Sequence, residues 1–206
     1  AAFPHREDPR DALVSKDDLT LSQLPPNSRI GSGSPRRQAQ ILHLYPHLEF
    51  VPIRGNVDTR IKKLEAGDMA AIVLAVAGLK RLGCEEVISE YLDYDLVLPS
   101  PGQGVLALQI REDDRELEED CSHLDHSLTR AAVTAERSFL KKLRGGCRLP
   151  VGALGQVTGE DELRLSGVVL SPDGSRRIVD EMTGNVEEAE TVGVRLAERL
   201  IGRGAG

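Results

Sequence analysis

The feature that most constrains the fold is a continuous apolar run from Ala70 to Ala77. Parallel sheets bury such strands on both faces, so the run predicts a central strand of an α/β domain. An alternating strand from Glu49 to Ile53 and a helix from Val57 to Leu64, with Gly67 as its C-cap, precede it. Strands and helices that alternate over short connections indicate a βαβ-type domain, which binds ligands at the loops after its strands.

The C-terminal third of the chain predicts a separate, smaller α+β domain. An amphipathic helix is expected from Ser127 to Arg144, capped by Ser127 or by Thr129. The alternating segments Leu163–Leu170 and Arg176–Met182 flank a Ser-Pro-Asp-Gly turn, which is typical of an antiparallel hairpin.

Several shorter segments complete the expected secondary structure. Short strands are expected at Ala12–Val14 and Arg29–Ile30, and another at Val105–Ile110, after a Pro-Ser-Pro-Gly break in the chain. The dense charge run from Arg111 to Asp120 is interpreted as a solvated connector. A final amphipathic helix is expected from Val186 to Ile201.

Composition excludes two classes of partner. The chain has 206 residues, a formal net charge of −7 and 3% aromatic residues. An acidic chain without basic stripes between aromatic residues argues against a nucleic-acid surface. The longest apolar run is too short to span a bilayer, so no membrane partner is expected. Cys84, Cys121 and Cys147 are scattered and form no Cys-x-x-Cys pair, which indicates reduced thiols in a cytoplasmic protein.

Two arginine-rich segments are unusual in this acidic chain. Gly31–Arg37 follows a predicted strand and opens a helix with paired guanidiniums, and Arg54–Arg60 repeats the arrangement around a glycine and a capping asparagine. A helix N-terminus exposes unpaired N–H groups, and arginine binds carboxylate or phosphate through two hydrogen bonds. The segments therefore predict a site for a small polyanion, and solvated surface arginines are the alternative.

Cys147 is the candidate reactive thiol. It follows Gly145-Gly146 beyond a predicted helix and lies between Arg144 and Arg148, whose charges favour the nucleophilic thiolate. The two glycines leave room for a bulky group beside the sulfur. A loop cysteine without a chemical role is the alternative.

Two other patterns are weaker. Gly102–Ala107 matches the spacing of a dinucleotide fingerprint, but prolines precede it and a predicted strand follows it. A glycine-rich crossing that approaches a ligand or another domain is the favoured interpretation. The segment Cys121–His126 contains four residues of metal-binding type, but their spacing matches no familiar site, and a polar surface cluster is favoured.

The motifs together resemble the porphobilinogen deaminase (hydroxymethylbilane synthase) family in order and spacing over almost the whole chain. The segments that carry the resemblance are Gly31–Gln38, Arg54–Arg60, Ala71–Gly83, Gly102–Gly104, Ala135–Arg137 and Gly145–Cys147. Gly33 and Pro35 depart from the serine and leucine of many relatives. The resemblance implies a transferase of tetrapyrrole biosynthesis that joins four porphobilinogen units to a dipyrromethane primer, with loss of ammonia, and then releases hydroxymethylbilane by hydrolysis.

The resemblance also implies roles for individual residues. The dipyrromethane is expected to be attached to Cys147 through a thioether. The other residues expected to bind this cofactor are Ser34, Arg36, Arg37, Arg54, Gly55 and Arg81. The residues expected to bind the substrate are Arg54, Arg60 and Gln103. No metal is expected, and the family's catalytic aspartate is expected upstream of Ala1, so the chain is interpreted as a fragment that is inactive alone.

The resemblance implies three domains, two of them like type II periplasmic binding proteins. Residues 1–9 and 99–123 are expected to be a remnant of the first domain with the crossover. Residues 10–98 are expected to form the second α/β domain, and residues 124–206 the C-terminal α+β domain with the cysteine loop. A monomer is expected. The alternative function is a non-enzymatic anion-binding module of the periplasmic-binding type.

Overall fold

The structure is a computed structural model of the chain and describes residues 1–143, 150–159 and 161–205. The elements of the first part are β1 (Asp11–Ser15), β2 (Arg29–Gly31), α1 (Pro35–Leu44), β3 (Glu49–Val51), α2 (Val57–Ala66), β4 (Ala71–Ala75), α3 (Val76–Arg81) and β5 (Glu90–Leu92). The remaining elements are α4 (Arg115–Ser122), α5 (Ser127–Lys142), β6 (Val151–Thr158), β7 (Glu162–Leu170), β8 (Arg177–Asn185) and α6 (Ala189–Gly202). In these ranges, no helix meets the length and hydropathy that crossing a membrane requires.

The first sheet has five strands in the order β3-β2-β4-β1-β5. β2 runs parallel to β3 and β4, whereas β1 is antiparallel to β4 and β5. Residues Ala71 to Leu74 of β4 are buried and pack into the core on both faces of the sheet. The predicted α/β class is confirmed, but the sheet is mixed and is not built from parallel βαβ units alone.

The apolar run that predicted β4 contains the end of a strand and the start of a helix. The expected strand from Ala70 to Ala77 is wrong at its C-terminal end, because α3 begins at Val76. Val76 and Leu79 are both buried beside β4, so the run stays apolar across the boundary. Periodicity cannot distinguish a short buried strand from a short buried helix. By contrast, Gly67 is the C-cap of α2, as predicted.

The second sheet has three antiparallel strands in the order β6-β7-β8. α5 and α6 pack against each other over this sheet, and a Cβ on Gly167 of β7 would touch Phe139 and Leu196 from the two helices. The predicted hairpin is confirmed as β7 and β8, and the final helix as α6. The sequence did not indicate β6, because two glycines, Gly152 and Gly155, interrupt its alternation.

The start of α5 differs from the prediction. His126 is the N-cap, and its Nδ1 accepts a hydrogen bond from Thr129 N at 3.2 Å. The predicted caps Ser127 and Thr129 are therefore wrong, since they lie one and three positions after the observed N-cap. The sequence did not indicate His126, because an N-cap is usually a short polar residue such as serine, threonine, aspartate or asparagine. The predicted end of the helix at Arg144 lies outside the described residues.

The segment from Val105 to Ile110 is not a strand as predicted. Leu108 forms an isolated bridge with Ala2, and the described part of the chain shows no longer pairing there. A strand requires a neighbour for its N–H and C=O groups, and the described residues place no second strand beside this segment. The charge run that follows contains α4, whose residues are mostly exposed.

The part of the chain with the five-stranded sheet and the part with the three-stranded sheet meet on α1. A Cβ on Gly174, in the β7–β8 turn, would lie 2.5 Å from Ala39 O, so the turn packs directly on the helix. His43 Nδ1 lies 2.9 Å from Gly174 O. The side chain of Gln40 forms hydrogen bonds of 3.0 and 2.9 Å with the main-chain O and N of Leu98. The helix with the predicted arginine pair is therefore held by both parts.

Candidate functional site

The arginine pair of α1 is buried, and both guanidiniums bind one carboxylate. Arg36 and Arg37 are 5% and 8% exposed, and Asp11 in β1 is 0% exposed. Arg36 Nη1 donates to Asp11 Oδ2 at 2.7 Å, while Arg37 donates to Asp11 Oδ1 from Nε at 3.0 Å and from Nη2 at 2.7 Å. This burial contradicts the alternative of solvated surface arginines for this pair.

These three side chains, here called the arginine cluster, carry an excess of positive charge. Burial by itself raises the pKa of Asp11, but the guanidiniums of Arg36 and Arg37 lower it by more, so the pKa lies below the ordinary value of 3.8. Two guanidiniums and one carboxylate leave a net charge of one positive unit. Main-chain carbonyls of Leu98 and Val73 accept from Arg36 and Arg37 at 2.7 and 3.0 Å, and they add no formal charge.

Gln103 closes the arginine cluster from the segment that crosses between the two parts. Its Nε2 donates to Pro9 O at 2.7 Å and to Asp11 Oδ1 at 2.9 Å. Its Oε1 lies 3.4 Å from Arg36 Nη2, which donates to it. The predicted substrate-binding residue Gln103 therefore lies with two predicted cofactor-binding arginines.

The turn that holds Gln103 depends on the glycines beside it. Gly102 and Gly104 have φ angles of +77° and +80°, a conformation that favours glycine. A Cβ on Gly104 would lie 2.5 Å from Glu7 O, so the main chain at Gly104 lies too close to that at Glu7 to allow a side chain. The segment is a glycine-rich chain crossing, as favoured from the sequence.

The N-terminus of α1 lies beside the arginine cluster and has no side-chain cap among the described residues. Ser34 is the N-cap and Pro35 the first helical residue, and no side chain of the described residues caps this helix. Regular α-helical bonding leaves the first N–H groups of a helix without an intrahelical partner; proline has no N–H group, so in α1 these groups belong to Arg36 and Arg37. Ser34 N donates to Ser32 Oγ at 3.2 Å. This helix start has the donors and the dipole orientation that an anion requires.

The second arginine segment, at the start of α2, is already capped. Asn56 Oδ1 accepts from Thr59 N at 3.0 Å and from Thr59 Oγ1 at 2.6 Å. Arg60 Nε donates to Gly55 O at 2.8 Å, which folds this side chain back on the turn. Arg54 is exposed. Arg54 is therefore more accessible to a ligand than Arg60.

Arg81 ends α3 at a surface cavity of about 610 Å³. Other residues that line this cavity are His5, Glu7, Lys80, Gly104 and Leu106. Lys80 Nζ pairs with Glu7 at 2.9 Å, whereas no carboxylate of the described ranges pairs with Arg81. The guanidinium of Arg81 can therefore bind an anionic group that lies in the cavity.

The structure brings together only part of the predicted site. Gln103 is hydrogen-bonded to Arg36, Arg37 is joined to both through Asp11, and Ser34 caps the helix that carries the two arginines. The predicted residues that lie on other elements are Arg54, Gly55 and Arg60 near the start of α2 and Arg81 at the end of α3. Cys147 lies outside the described residues.

A second buried ion pair joins the two parts, between Glu136 of α5 and Arg6. Glu136 is 0% exposed, and Arg6 Nη1 donates to its Oε1 at 2.5 Å. The carboxylate also accepts from Gly155 N at 2.7 Å and from Gly102 N at 2.6 Å. Burial raises the pKa of Glu136 above the ordinary 4.5, and the hydrogen bonds from Arg6, Gly155 N and Gly102 N offset part of this rise. Arg6 Nε donates to Gln103 O at 3.0 Å, which connects this pair with the arginine cluster.

Sequence reasoning missed Asp11 and Glu136, although a signal for both was present. Asp11 begins a strand whose next three residues are apolar and buried, and Glu136 follows Ala135 on the buried side of α5. A carboxylate at a core position requires a partner, because an unpaired buried charge is too costly. The partners are 25 and 130 residues away along the chain, so the sequence could indicate the need for them but not their identity.

The residues of Cys121–His126 have separate structural roles. Asp125 pairs with Arg130 at 2.7 Å and accepts from Phe3 N at 2.8 Å, while Cys121 is buried. His126 caps α5. Within the ranges that the structure covers, no three side chains of metal-binding type gather around one point.

Comparison with known proteins shows matches over most of the chain. Residues 1–119 match the family model "Porphobilinogen deaminase, dipyromethane cofactor binding domain", and residues 130–202 match "Porphobilinogen deaminase, C-terminal domain". Proteins named porphobilinogen deaminase from Carboxydothermus hydrogenoformans and Syntrophotalea carbinolica are 48% and 49% identical over 204 and 203 residues. One from Geobacter sulfurreducens is 47% identical over 199 residues.

These three alignments cover 99%, 98% and 97% of this chain but 65%, 64% and 62% of the relatives. The chain thus spans somewhat less than two thirds of the length of the relatives that it matches. The first family model alone covers more than half of the chain and includes the whole arginine cluster. The resemblance inferred from the sequence motifs is confirmed, and the chain belongs to the porphobilinogen deaminase family.

Proposed function

We propose that this chain acts in a porphobilinogen deaminase, which joins four porphobilinogen units to a dipyrromethane primer on Cys147 and then releases hydroxymethylbilane by hydrolysis. Family membership supports this proposal. The observation that carries it is the excess positive charge of the arginine cluster beside the N-terminus of α1, which no side chain of the described residues caps. The chain has a net charge of −7, so as a whole it repels anions, and an anionic ligand requires a local site of positive charge.

The chemistry of these donors fits a dipyrromethane. Each pyrrole carries an acetate and a propionate, so the group is a polycarboxylate, and guanidiniums and helix N-termini both bind carboxylates. The residues that would hold it, besides Cys147, are Ser34, Arg36, Arg37, Arg54, Gly55 and Arg81. When bound, the dipyrromethane supplies the terminal pyrrole position to which the next pyrrole unit is joined.

The proposed contribution of the chain's own residues is electrostatic positioning. Arg54 is exposed at the start of α2 and would neutralise a carboxylate of the incoming substrate, with Arg60 one turn further along the helix. Holding the reacting units at fixed separation removes most of the entropic barrier to their reaction, and fixed donors stabilise charge without reorganisation. The buried arginine cluster meets this requirement, because hydrogen bonds to Asp11 restrain both guanidiniums.

Mass spectrometry of the intact protein, purified from a host that makes tetrapyrroles, tests the proposal. We expect a dipyrromethane adduct on the peptide that contains Cys147, and the colour reaction of a dipyrromethane with an acidic aldehyde reagent. Cys147→Ser should lose both signals, and the control Cys84→Ser should keep them, because Cys84 lies at the end of α3 with its Sγ turned to Leu82 O. An unmodified Cys147 would contradict the proposal.

The finer organisation is also proposed. We infer a type II periplasmic-binding-like fold for residues 10–98, a remnant of a first domain in residues 1–9 and 99–123, and a C-terminal domain in residues 124–206. We also infer a cytoplasmic monomer. The alternative of a non-enzymatic anion-binding module is not supported by the family match.

A further inference from the structure

The carboxamide of Gln103 is engaged at both ends by protein groups. Its Nε2 donates to Pro9 O and Asp11 Oδ1, and its Oε1 accepts from Arg36 Nη2. An amide can donate to a carboxylate and accept from a guanidinium at the same time, whereas a carboxylate or an ammonium can do only one of these. Glutamine is therefore the side chain that suits a position between Asp11 and Arg36.

The two arginines of the cluster are restrained to different degrees. Arg37 donates from Nε, Nη1 and Nη2 to Asp11 and Val73 O, at distances of 2.7 to 3.0 Å. Arg36 is bound at Nη1 by Asp11 and Leu98 O at 2.7 Å, but its Nη2 meets Gln103 at 3.4 Å. Among the described residues, Gln103 is the partner that restrains the Nη2 end of Arg36.

Gln103 is itself held by the second part of the chain. Arg6 Nε donates to Gln103 O at 3.0 Å, and the neighbouring Gly102 N donates to Glu136 Oε2 at 2.6 Å. Glu136 belongs to α5, and its other oxygen accepts from Gly155 N of β6. The 102–104 turn, which includes Gln103, is therefore held in place by α5 and β6.

We propose that Gln103 is a positioning residue, which orients Asp11 and Arg36 so that the arginine cluster presents its excess positive charge to a ligand carboxylate. This role differs from the direct substrate contact expected from the sequence, because the structure directs both ends of the carboxamide to protein groups. The Arg6–Glu136 pair fixes Gln103 through the main chain of the turn. The inference rests on the proposed function, which supplies the carboxylates.

Arginine side-chain NMR measures this positioning without a ligand. In the chain, the {¹H}–¹⁵N heteronuclear NOE of the Nε–H groups should show that Arg36 and Arg37 are both ordered. Gln103→Ala should lower the value for Arg36 by more than that for Arg37, because Arg37 keeps hydrogen bonds to Asp11 and Val73 O from all three of its side-chain nitrogens. Gln109→Ala, a matched change at an exposed position of the same segment, should alter neither.

Binding of porphobilinogen, followed by isothermal titration calorimetry, measures the consequence for a carboxylate ligand. Loss of a neutral hydrogen-bonding partner should weaken binding by about three- to tenfold in Gln103→Ala. Gln103→Glu cancels the excess charge and places two carboxylates together, so it should weaken binding by more than about tenfold. Urea unfolding of every variant identifies any that has lost its fold.

The outcomes separate the positioning role from the proposed function. An unchanged Arg36 signal in folded Gln103→Ala would overturn the positioning role, as would an equal change in Gln109→Ala. If Arg36 responds to Gln103→Ala but the wild-type intact protein binds no porphobilinogen, the positioning of Arg36 is supported and the proposed function is contradicted.

Discussion

Replacing Glu136 by alanine is expected to remove a large part of the stability of the chain. Four hydrogen bonds end on this carboxylate, two from Arg6 and one each from Gly102 N and Gly155 N. The Arg6 side chain is only 11% exposed, so the substitution leaves a guanidinium and two N–H groups without their partner in the interior. Breaking a buried pair costs about 3–5 kcal/mol, and each unpaired buried N–H group about 1–3 kcal/mol.

These costs are not additive, because Arg6 and the turn can move towards water once the carboxylate is absent. We therefore expect the free energy of unfolding to fall by about 4 kcal/mol, within the range for a broken buried pair. Urea unfolding followed by circular dichroism measures the change. With a slope of about 2 kcal/mol per molar urea, the midpoint should fall by about 2 M.

A surface ion pair provides the control. Glu181 pairs with Arg164 across β7 and β8, and these side chains are 55% and 49% exposed. Glu181→Ala should cost less than about 1 kcal/mol, because water solvates both charges. A loss for Glu136→Ala as small as that of the control would refute the reasoning. A double-mutant cycle supplies a second check, since Arg6→Ala should cost much less in the Glu136→Ala background than in the wild type.

Two further predictions concern the second part of the chain. Gly193→Ala should lower the free energy of unfolding by about 1–3 kcal/mol, because the new Cβ would overlap Ala135 O and Ser138 Oγ of α5. The control Gly202→Ala adds a Cβ in open space and should leave the stability unchanged. Equal melting temperatures for the two variants in thermal unfolding would contradict this packing. Hydrogen bonds to its carboxylate lower the pKa of Asp173 to about 2, and the bond from Ser171 has the largest effect. Ser171→Ala should raise that pKa towards the ordinary 3.8 in an NMR titration, and an unchanged midpoint would contradict the assigned cause.

The sequence predicted those elements whose signal is local. The β7–β8 hairpin is an example, because two alternating segments flank a turn-forming sequence, and the register follows from that turn. α2 is another, because Asn56 and Gly67 mark its two ends. The boundary between β4 and α3 was not predictable in this way, since both sides of it are apolar and buried.

Pairing along the sheets depended on the tertiary structure. The segment Val105–Ile110 has the composition of a strand, but composition does not supply a neighbour, and its pairing among the described residues is one bridge from Leu108 to Ala2. β1 has a less apolar sequence and yet becomes an inner strand, because β4 and β5 lie on either side of it. A strand is stabilised by hydrogen bonds to other segments, so its sequence alone does not determine it.

For the site, the sequence by itself determined the cationic chemistry, with paired guanidiniums at a helix start and glycines around them, and from it we predicted an anionic ligand. Only the tertiary structure decided how each of these cations is held. It buries Arg36 and Arg37 against Asp11, and it leaves Arg54 exposed. The physical reason is that the charge on a guanidinium is a property of the residue, whereas its burial and partners come from β1 and the 102–104 turn, which are distant in sequence and adjacent only after folding.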